Sequence, residues 1–205
     1  MLDFCDNKRG LILQSALTVF LSYGFKKTSM DDIAREAKIS RPALYQIFKN
    51  KSDIFRAISH QLLENSALSA KDAFNTHDTL RDQLFACIDN AILKMHRYVD
   101  ETPHGVELTG INQELAQDIE VKWKADMLVI ITEGIERAIK QGNADLSRFT
   151  NPHINAHSIA QIIMHNIEGM RHTYLCGDPI DQYVETLMDF MAQAISTDNQ
   201  AQNQN

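Results

Sequence analysis

The sequence has 205 residues and a mass of 23.3 kDa, enough chain for one sizeable hydrophobic core or for a small domain beside a larger one. Its apolar fraction of 44% is that of a soluble globular protein, and it lacks both a membrane-length apolar run and a signal-peptide pattern, so we expect a cytoplasmic protein. Residues 1–60 carry a charge balance of +4 and residues 61–205 one of −11, which together give the formal net charge of −7.

Four helices are predicted in the basic first part of the chain. The first covers residues 7–23, where apolar side chains recur on one helical face. The second begins at Ser29, since Asp32 three residues later gives a capping-box-like start. The third begins at Ser40, and the fourth begins at Asn50 and continues towards residue 69.

The rest of the chain is predicted to form about five longer or medium helices. Apolar residues recur at helical spacing in residues 80–98, 106–113, 119–138, 152–175 and 179–196. Asn151-Pro152 is interpreted as the N-cap and first residue of its helix, and Asp178-Pro179 repeats that signal. The expected fold class is therefore all-α, with about nine helices in total and a disordered polar tail.

The second and third helices are separated by only about three residues, which is typical of a helix-turn-helix motif, here about Ser29 to Phe48. The outer face of the third helix offers small, polar and aromatic groups, and lysines flank it; these residues are Arg41, Ala43, Tyr45, Gln46, Lys38, Lys49 and Lys51. Ala43 stands where the neighbouring helices carry an acid, which leaves a positive helix end available to phosphate. A small helical core with solvated lysines is the alternative, but an exposed Tyr45 favours DNA binding.

The stretch TSMDDIAREAKISRPALYQIFKNKSDIF, residues 28–55, preceded by ALTVFLSYGF, resembles the DNA-binding domain of the tetracycline-repressor (TetR/AcrR) family. The matching residues are Phe20, Gly24-Phe25, Thr28, Ile33-Ala34, Ala37, Ser40, Leu44-Tyr45, Phe48 and Lys51. The resemblance covers residues 8–60. It implies a homodimeric all-α transcription factor, most often a repressor, in which a ligand pocket controls the separation of two DNA-binding heads.

The resemblance also implies roles for individual residues. It places Thr28 and Ser29 near phosphate, and it places Lys49 and Lys51 so that they face the DNA backbone. Five further residues are expected in or beside the major groove: Ser40, Arg41, Ala43, Leu44 and Tyr45. Arg41 is the best candidate for direct base reading, because its fork can span O6 and N7 of guanine.

Two residues depart from the family pattern. Lys38 and Pro42 stand where the family commonly has glycine. A left-handed Lys38 would be strained by roughly 1 kcal/mol, although it would also direct a cation outward.

We expect residues 1–50 to be the DNA-binding domain, 51–196 the effector-binding and dimerisation domain, and 197–205 a disordered tail. The resemblance implies that the last two helices pair with their copies, through residues such as Tyr183, Leu187 and Met191. The alternative is that these two helices only bury each other.

A ligand pocket, if present, is expected between the helices over 80–98, 119–138 and 152–175. Its candidate residues are His96, Trp123, Met127, His165 and Glu168. Trp123 and Met127 lie on the apolar stripe of their helix, and such residues are more often part of the core than ligand contacts.

Histidines recur along the 152–175 helix, namely His153, His157, His165 and His172. This pattern fits a solvated or pocket-lining face better than a metal site, since no cysteine pair or suitably placed acid accompanies them. We predict no metal and no cofactor.

Enzyme functions are disfavoured, because the chain has no Gly-rich phosphate loop and no nucleophile elbow. Three functions stay open. The first is a ligand-responsive repressor that binds a palindromic operator. The second is a DNA-binding adaptor or architectural protein that recruits a partner through its acidic part. The third is a redox or metal sensor that uses Cys5, Cys87 or Cys176, although their wide spacing favours free thiols.

Overall fold

The computed structural model describes Phe4 and residues 7–100, 102–173 and 180–197. Its helices are α1 (Lys8–Tyr23), α2 (Met30–Glu36), α3 (Arg41–Tyr45), α4 (Lys51–Thr76), α5 (Leu80–Ile88), α6 (Lys94–Asp100), α7 (Gly105–Leu115), α8 (Gln117–Lys140), α9 (Ala156–Thr173) and α10 (Ile180–Ile195). A π-helical segment, Asp89–Leu93, joins α5 to α6. Since α5, the π-helical segment and α6 follow one another without a break, the described residues form nine continuous helices. The all-α prediction is confirmed. Among these helices, none is long and apolar enough to cross a membrane.

The first four helices begin at the polar caps that the sequence predicts. Asn7 Oδ1 accepts a hydrogen bond from the N–H of Gly10 at 2.8 Å, and Asn50 Oδ1 accepts one from the N–H of Asp53 at 2.8 Å. Ser29 and Ser40 cap α2 and α3. These caps satisfy backbone donors that a helix start leaves without a partner.

The chain divides into two compact units. The first unit consists of residues 1–65 and 95–122, and the second of residues 66–94 and 123–205. The first unit includes α7 and the beginning of α4, which the division at residue 50 left out. The assignment of DNA binding to residues 1–50 and of effector binding to 51–196 stays a prediction.

The core of the first unit is built around three aromatic rings. Phe20, Phe25 and Phe55 pack with ring centroids 5.3 to 5.9 Å apart. From α7, Leu108 and Ile111 complete the same apolar cluster. α7 is therefore part of the support for the helix-turn-helix motif.

In the second unit, α10 packs against α5 and α9. From α8, the side chains of Met127, Ile131 and Ile135 are fully buried. A Cβ on Gly134 would lie 2.2 Å from the ring of Phe74, so this α8 position needs glycine for its close approach to α4.

The beginning of α9 differs from the predicted one. Asn151 does not cap the helix; its Oδ1 accepts from the N–H of His153 at 3.0 Å within a turn. The helix begins at Ala156, because Asn155 and Ser158 each accept the other's N–H with their side-chain oxygens, both at 2.9 Å. His153 consequently precedes the helix and does not share a helical face with His157.

The end of α4 also differs from the prediction. α4 continues to Thr76 rather than ending near residue 69, because Ala70, Ala73 and Phe74 extend its buried face. The predicted end of α9 near residue 175, the start signal Asp178-Pro179 and the tail after residue 197 lie outside the described residues.

Candidate nucleic-acid interface

The start of α2 is held by a complete capping box. The Ser29 hydroxyl accepts from the N–H of Asp32 at 3.2 Å, and the Asp32 carboxylate accepts from the N–H and the hydroxyl of Ser29 at 3.0 and 2.6 Å. The hydrogen bond from the Ser29 side chain is the main reason that the pKa of Asp32 is lowered. The box fixes where α2 starts and keeps Ser29 on the surface of the unit.

The turn between α2 and α3 is a Schellman motif centred on Lys38. The N–H of Ile39 donates to the carbonyl of Ala34 at 3.0 Å, and the N–H of Lys38 donates to the carbonyl of Arg35 at 3.1 Å. Lys38 has a φ of +54°, in the left-handed region that favours glycine. The strain expected for this lysine is therefore present, and its side chain is exposed.

The third helix separates a buried face from an exposed face. Leu44 and Phe48 are buried in the core of the first unit. Arg41 and Gln46 are exposed, and Tyr45 is 43% exposed. The inward position of Leu44 is confirmed, but its placement in the groove by resemblance is wrong, because a fully buried leucine cannot reach a base.

The expected phosphate site at the start of α3 is also corrected. The N–H of Ala43 is already hydrogen-bonded, because Ser40 Oγ accepts from it at 3.3 Å. α3 has only five residues, so its aligned peptide dipoles are few. The absence of an acid at Ala43 therefore does not create an anion site there.

Two residues expected at phosphate have internal roles in the structure. Thr28 is 3% exposed, and its hydroxyl donates to the carbonyl of Gly24 at 2.7 Å. The ammonium of Lys51 donates to the carbonyls of Phe25, Lys26 and Thr28 at 2.7, 3.1 and 2.9 Å. Burial lowers the pKa of Lys51, and the nearby Glu107 carboxylate opposes that shift. Both side chains stabilise the loop that leads into α2.

The exposed cations around the motif include Lys38 and Lys49, as expected, and also Arg9, which the sequence did not single out. The guanidinium carbon of Arg9 on α1 lies 4.5 Å from the centroid of the Phe48 ring. Because the two residues are far apart in the chain, no local pattern predicts this contact. It places a further cation beside the segment that follows α3.

Arg41 is held by groups from two helices. Its Nη1 donates to Asp31 Oδ2 of α2 at 2.9 Å, and its guanidinium carbon lies 5.5 Å from the centroid of the Tyr45 ring. All three side chains are exposed. The sequence pointed to Arg41 and Tyr45, but the role of Asp31 as a partner of Arg41 was missed.

A link from α7 to the loop before α2 was not foreseen. Glu107 Oε1 accepts from the backbone N–H of Lys26 at 3.2 Å, and its Oε2 lies 3.3 Å from His104 Nδ1. Gly24 has a φ of +83°, and a Cβ there would lie 2.4 Å from Glu107 Oε2. The positive φ is the reason that glycine is favoured at this position, which the Glu107 carboxylate approaches.

An ion pair fastens α4 to the start of α8. Arg56 Nη1 and Nη2 donate to the two carboxylate oxygens of Asp118, each at 2.7 Å, and Nη1 also donates to the carbonyl of Leu115. These hydrogen bonds lower the pKa of Asp118 to about 2. Asp118 therefore has a specific charged partner on another helix, which no local sequence pattern predicts.

The residues expected to line a ligand pocket have separate environments. Met127 is buried, and the buried Trp123 donates from Nε1 to Ser66 Oγ at 3.0 Å. Glu168 is half-buried and accepts a hydrogen bond from Lys124, whereas His165 is exposed. His96 is half-buried and belongs to the first unit, while the other four candidates belong to the second. Their assignment to a pocket stays a prediction.

The residues expected at a dimer interface also differ from one another in their exposure. Tyr183 is exposed and Leu187 is half-buried, but Met191 is only 8% exposed and lies in the core of its own chain. Phe190, which is 67% exposed, is the large apolar residue that sequence reasoning missed. It follows Tyr183 and Leu187 at spacings of seven and three residues, which places all three on one helical face.

Within the described residues, no group of three or more histidine, cysteine and acidic side chains could hold a metal ion. Cys87 is buried, and burial raises the pKa of its thiol to about 12. A buried, protonated thiol is a poor redox sensor. Cys5 and Cys176 lie outside the described residues, as does the side chain of His172.

Residues 12–58 match the family described as bacterial regulatory proteins, tetR family. The chain is 29% identical over 140 residues to the uncharacterized HTH-type transcriptional regulator YhgD of Bacillus subtilis, covering 66% of this chain and 71% of YhgD. It is 32% identical over 84 residues to the HTH-type transcriptional activator FasR of Mycolicibacterium smegmatis, covering 41% of this chain and 38% of FasR. The chain thus spans well under half of the length of FasR.

A solved structure shares the fold of the chain. SmeT, the repressor of the Stenotrophomonas maltophilia multidrug efflux pump SmeDEF, aligns with a TM-score of 0.63 and 19% identity over 94% of this chain and 92% of SmeT. SmeT has also been solved as a complex with triclosan. The family match over residues 12–58, together with relatives that are HTH-type transcriptional regulators, confirms the resemblance to the tetR family seen in residues 28–55. The expectation that it is not an enzyme is confirmed by the same matches.

Proposed function

We propose that the chain is a tetR-family transcriptional regulator, which binds a palindromic operator as a homodimer and is released from it by a small molecule. The observation that carries the proposal is the division of the helix-turn-helix motif into two faces. One face is buried through Leu44 and Phe48, and the other exposes Arg41, Tyr45 and Lys49. An exposed arginine and tyrosine on a short helix suit the major groove, where base edges carry a distinct pattern of donors and acceptors.

In this proposal Arg41 reads a guanine, and exposed polar and cationic groups position the protein on phosphate. Ser29, Lys38, Lys49 and Arg9 are the groups suited to phosphate, because each is exposed around the motif. Ser40, Ala43 and Tyr45 lie beside the groove. Thr28 and Lys51 support the loop that presents α2, through their hydrogen bonds to backbone carbonyls.

Dimerisation is supported by the apolar face that α10 leaves exposed. Tyr183, Leu187 and Phe190 lie on one side of the helix, and Ile162 is exposed on the neighbouring α9. Large apolar side chains in such a row are typical of a surface that another protein covers. A second copy of the chain would bring two helix-turn-helix motifs onto half-sites about one helical turn of DNA apart, which is about 34 Å.

Release by a small molecule is supported by polar groups in the second unit. The Trp123 indole N–H is hydrogen-bonded to Ser66, and Lys124 pairs with Glu168. The π-helical segment Asp89–Leu93 lies between α5 and α6, and such segments frequently mark functional sites. A ligand would release DNA only through a higher affinity for the conformation that does not fit the operator.

The test begins with selection of bound sequences from a random DNA pool by the full-length protein. We expect an inverted repeat, bound by a dimer and weakened by salt. A screen for small molecules that displace the selected operator follows. A strictly monomeric protein that binds no duplex at low ionic strength would overturn the proposal, and an operator that no ligand displaces would remove its second half.

The acidic charge of residues 61–205 favours a second candidate, a DNA-binding adaptor that recruits a basic protein partner. The screen for small molecules that displace the operator also distinguishes the two candidate functions. The adaptor keeps its operator in the presence of every small molecule, and its effect on transcription depends on residues 61–205. A reporter gene controlled by the selected operator also decides between repression and activation.

A further inference from the structure

An ion pair crosses the helix-turn-helix motif from α2 to α3. Asp31 Oδ2 accepts from Arg41 Nη1 at 2.9 Å, between residues that are ten positions apart. We propose that Asp31 is a specificity-determining residue, which orients Arg41 for base reading without contacting a base itself. This inference rests on the proposed function, because it assumes that Arg41 reads the operator.

The physical argument starts from the freedom of an exposed arginine. Ordering a long side chain costs up to about 2 kcal/mol of conformational free energy, and a base contact must exceed that cost. Asp31 on α2 holds one end of the Arg41 guanidinium. The ring centroid of Tyr45, which lies on α3 like Arg41, is 5.5 Å from the central carbon of the guanidinium. Contacts from two helices restrict Arg41 before DNA arrives, so less freedom is lost on binding.

The geometry leaves the reading edge of the arginine accessible. A guanidinium has five N–H donors in a planar fork. Among the described residues, Asp31 engages Arg41 through Nη1. A guanine presents O6 and N7 to two donors, which the Nε and Nη2 edge can supply while Nη1 stays on Asp31.

The charge of Asp31 argues against a role in general DNA affinity. An acid on the surface that meets phosphate weakens binding to every sequence by repulsion. Its ion pair with Arg41 is exposed, and such pairs contribute little to folding stability. The capping box of α2 is made by Asp32 and not by Asp31. Higher discrimination at one base pair is the benefit that this placement can provide.

The experiment measures dissociation constants of the full-length protein for the selected operator, for operators changed at single base pairs, and for unrelated duplex DNA. Arg41→Ala first identifies the base pair whose discrimination depends on Arg41. For Asp31→Asn, we expect discrimination at that base pair to fall by about two- to fivefold, the range of an exposed ion pair, while affinity for unrelated DNA stays equal or rises.

Three variants separate orientation from charge. Asp31→Glu keeps the charge but displaces the carboxylate, so discrimination should fall while affinity for unrelated DNA is unchanged. Glu36→Gln removes the same charge from the exposed surface of α2, where it does not form the ion pair with Arg41. It should strengthen all complexes equally. In the Arg41→Ala background, Asp31→Asn should not change discrimination further.

Two results would overturn the inference. Unchanged discrimination in both Asp31 variants would show that Arg41 needs no orientation. Increased discrimination in Asp31→Asn would show that Asp31 holds Arg41 away from the base. A different result, in which Arg41→Ala itself preserves every base preference, would instead refute base reading by Arg41 in the proposed function.

Discussion

The ammonium of Lys51 at the start of α4 lies 2.9 Å from the carbonyl oxygen of Thr28, which directly precedes the N-cap of α2. Two further carbonyls of the same loop, those of Phe25 and Lys26, accept from the same nitrogen. Lys51 also lies 4.6 Å from the centroid of the Phe25 ring. One side chain therefore stabilises the loop that determines where α2 begins, although its position near the motif made it resemble a phosphate-binding residue.

Lys51→Ala is expected to destabilise the fold by about 1–3 kcal/mol, because it leaves partly buried carbonyls without their donor. Urea denaturation followed by circular dichroism measures the loss. The slope of log affinity against log salt should stay close to that of the unchanged protein at concentrations where the variant is folded. A reduced slope with normal stability would show that Lys51 contacts phosphate after all.

Lys49→Ala provides the matched comparison, since Lys49 is exposed near the same helix end. It should leave stability within about 0.5 kcal/mol and weaken binding to all DNA sequences alike. The salt slope should fall by about 0.9 for the lost phosphate contact. An unchanged slope would remove Lys49 from the interface.

Lys38→Gly is expected to stabilise the fold by about 0.5–1 kcal/mol, because glycine adopts the left-handed conformation without the strain of a Cβ. It should also lower the salt slope by about 0.9, since a cation is lost. Lys38→Ala is the control, which loses the cation but keeps the strain. Equal stability of the two variants would contradict the claim that the turn conformation strains Lys38.

The pair formed by Arg56 and Asp118 predicts a loss of stability in acid. The pKa of Asp118 in the folded protein, about 2, lies below the ordinary value for aspartate. The stabilisation is therefore fully present above about pH 5 and is lost as the pH falls towards about 2. Between about pH 5 and pH 2, the melting temperature should fall more steeply with decreasing pH for the unchanged protein than for Asp118→Asn. Asp126→Asn, at an exposed site on the same helix, should keep the steep decline.

Two adjacent residues on α10 separate dimerisation from folding. Phe190→Asp is expected to give a folded monomer with unchanged helical content and weakened operator binding, because Phe190 is exposed in the single chain. Met191→Ala should instead cost about 2–5 kcal/mol of stability by removing a buried side chain. Analytical ultracentrifugation and chemical denaturation distinguish the two effects. A Phe190→Asp protein that stays dimeric would place the interface elsewhere.

The features that the sequence predicted well are local ones. Ser29 with Asp32 and Ser40 with Pro42 lie within a few residues of each other, so their helix starts depend on short-range hydrogen bonds. The prediction for the start of α9 was wrong because two asparagines compete to cap the helix. Asn151 precedes a proline, but Asn155 has Ser158 as a reciprocal partner, and that interaction determines the first helical residue.

The roles of individual cations could not be predicted in the same way. Lys49 and Lys51 look equivalent in the sequence, yet only Lys51 faces three carbonyls, which belong to a loop more than twenty residues earlier. Asp31 likewise forms its ion pair with a side chain on the other side of a turn. Contacts of this kind depend on packing between helices, and no periodic pattern records them.

The burial of Cys87 has a practical consequence for spectroscopy. A thiol that is both enclosed and protonated resists maleimide reagents, so Cys87 can remain in place while fluorophores or spin labels are attached elsewhere. Once Cys5 and Cys176 are replaced by serine, a cysteine introduced at the exposed Gln46 would carry the probe. In the proposed homodimer, distances between the probes of two protomers would then test whether a small molecule changes the separation of the two α3 helices.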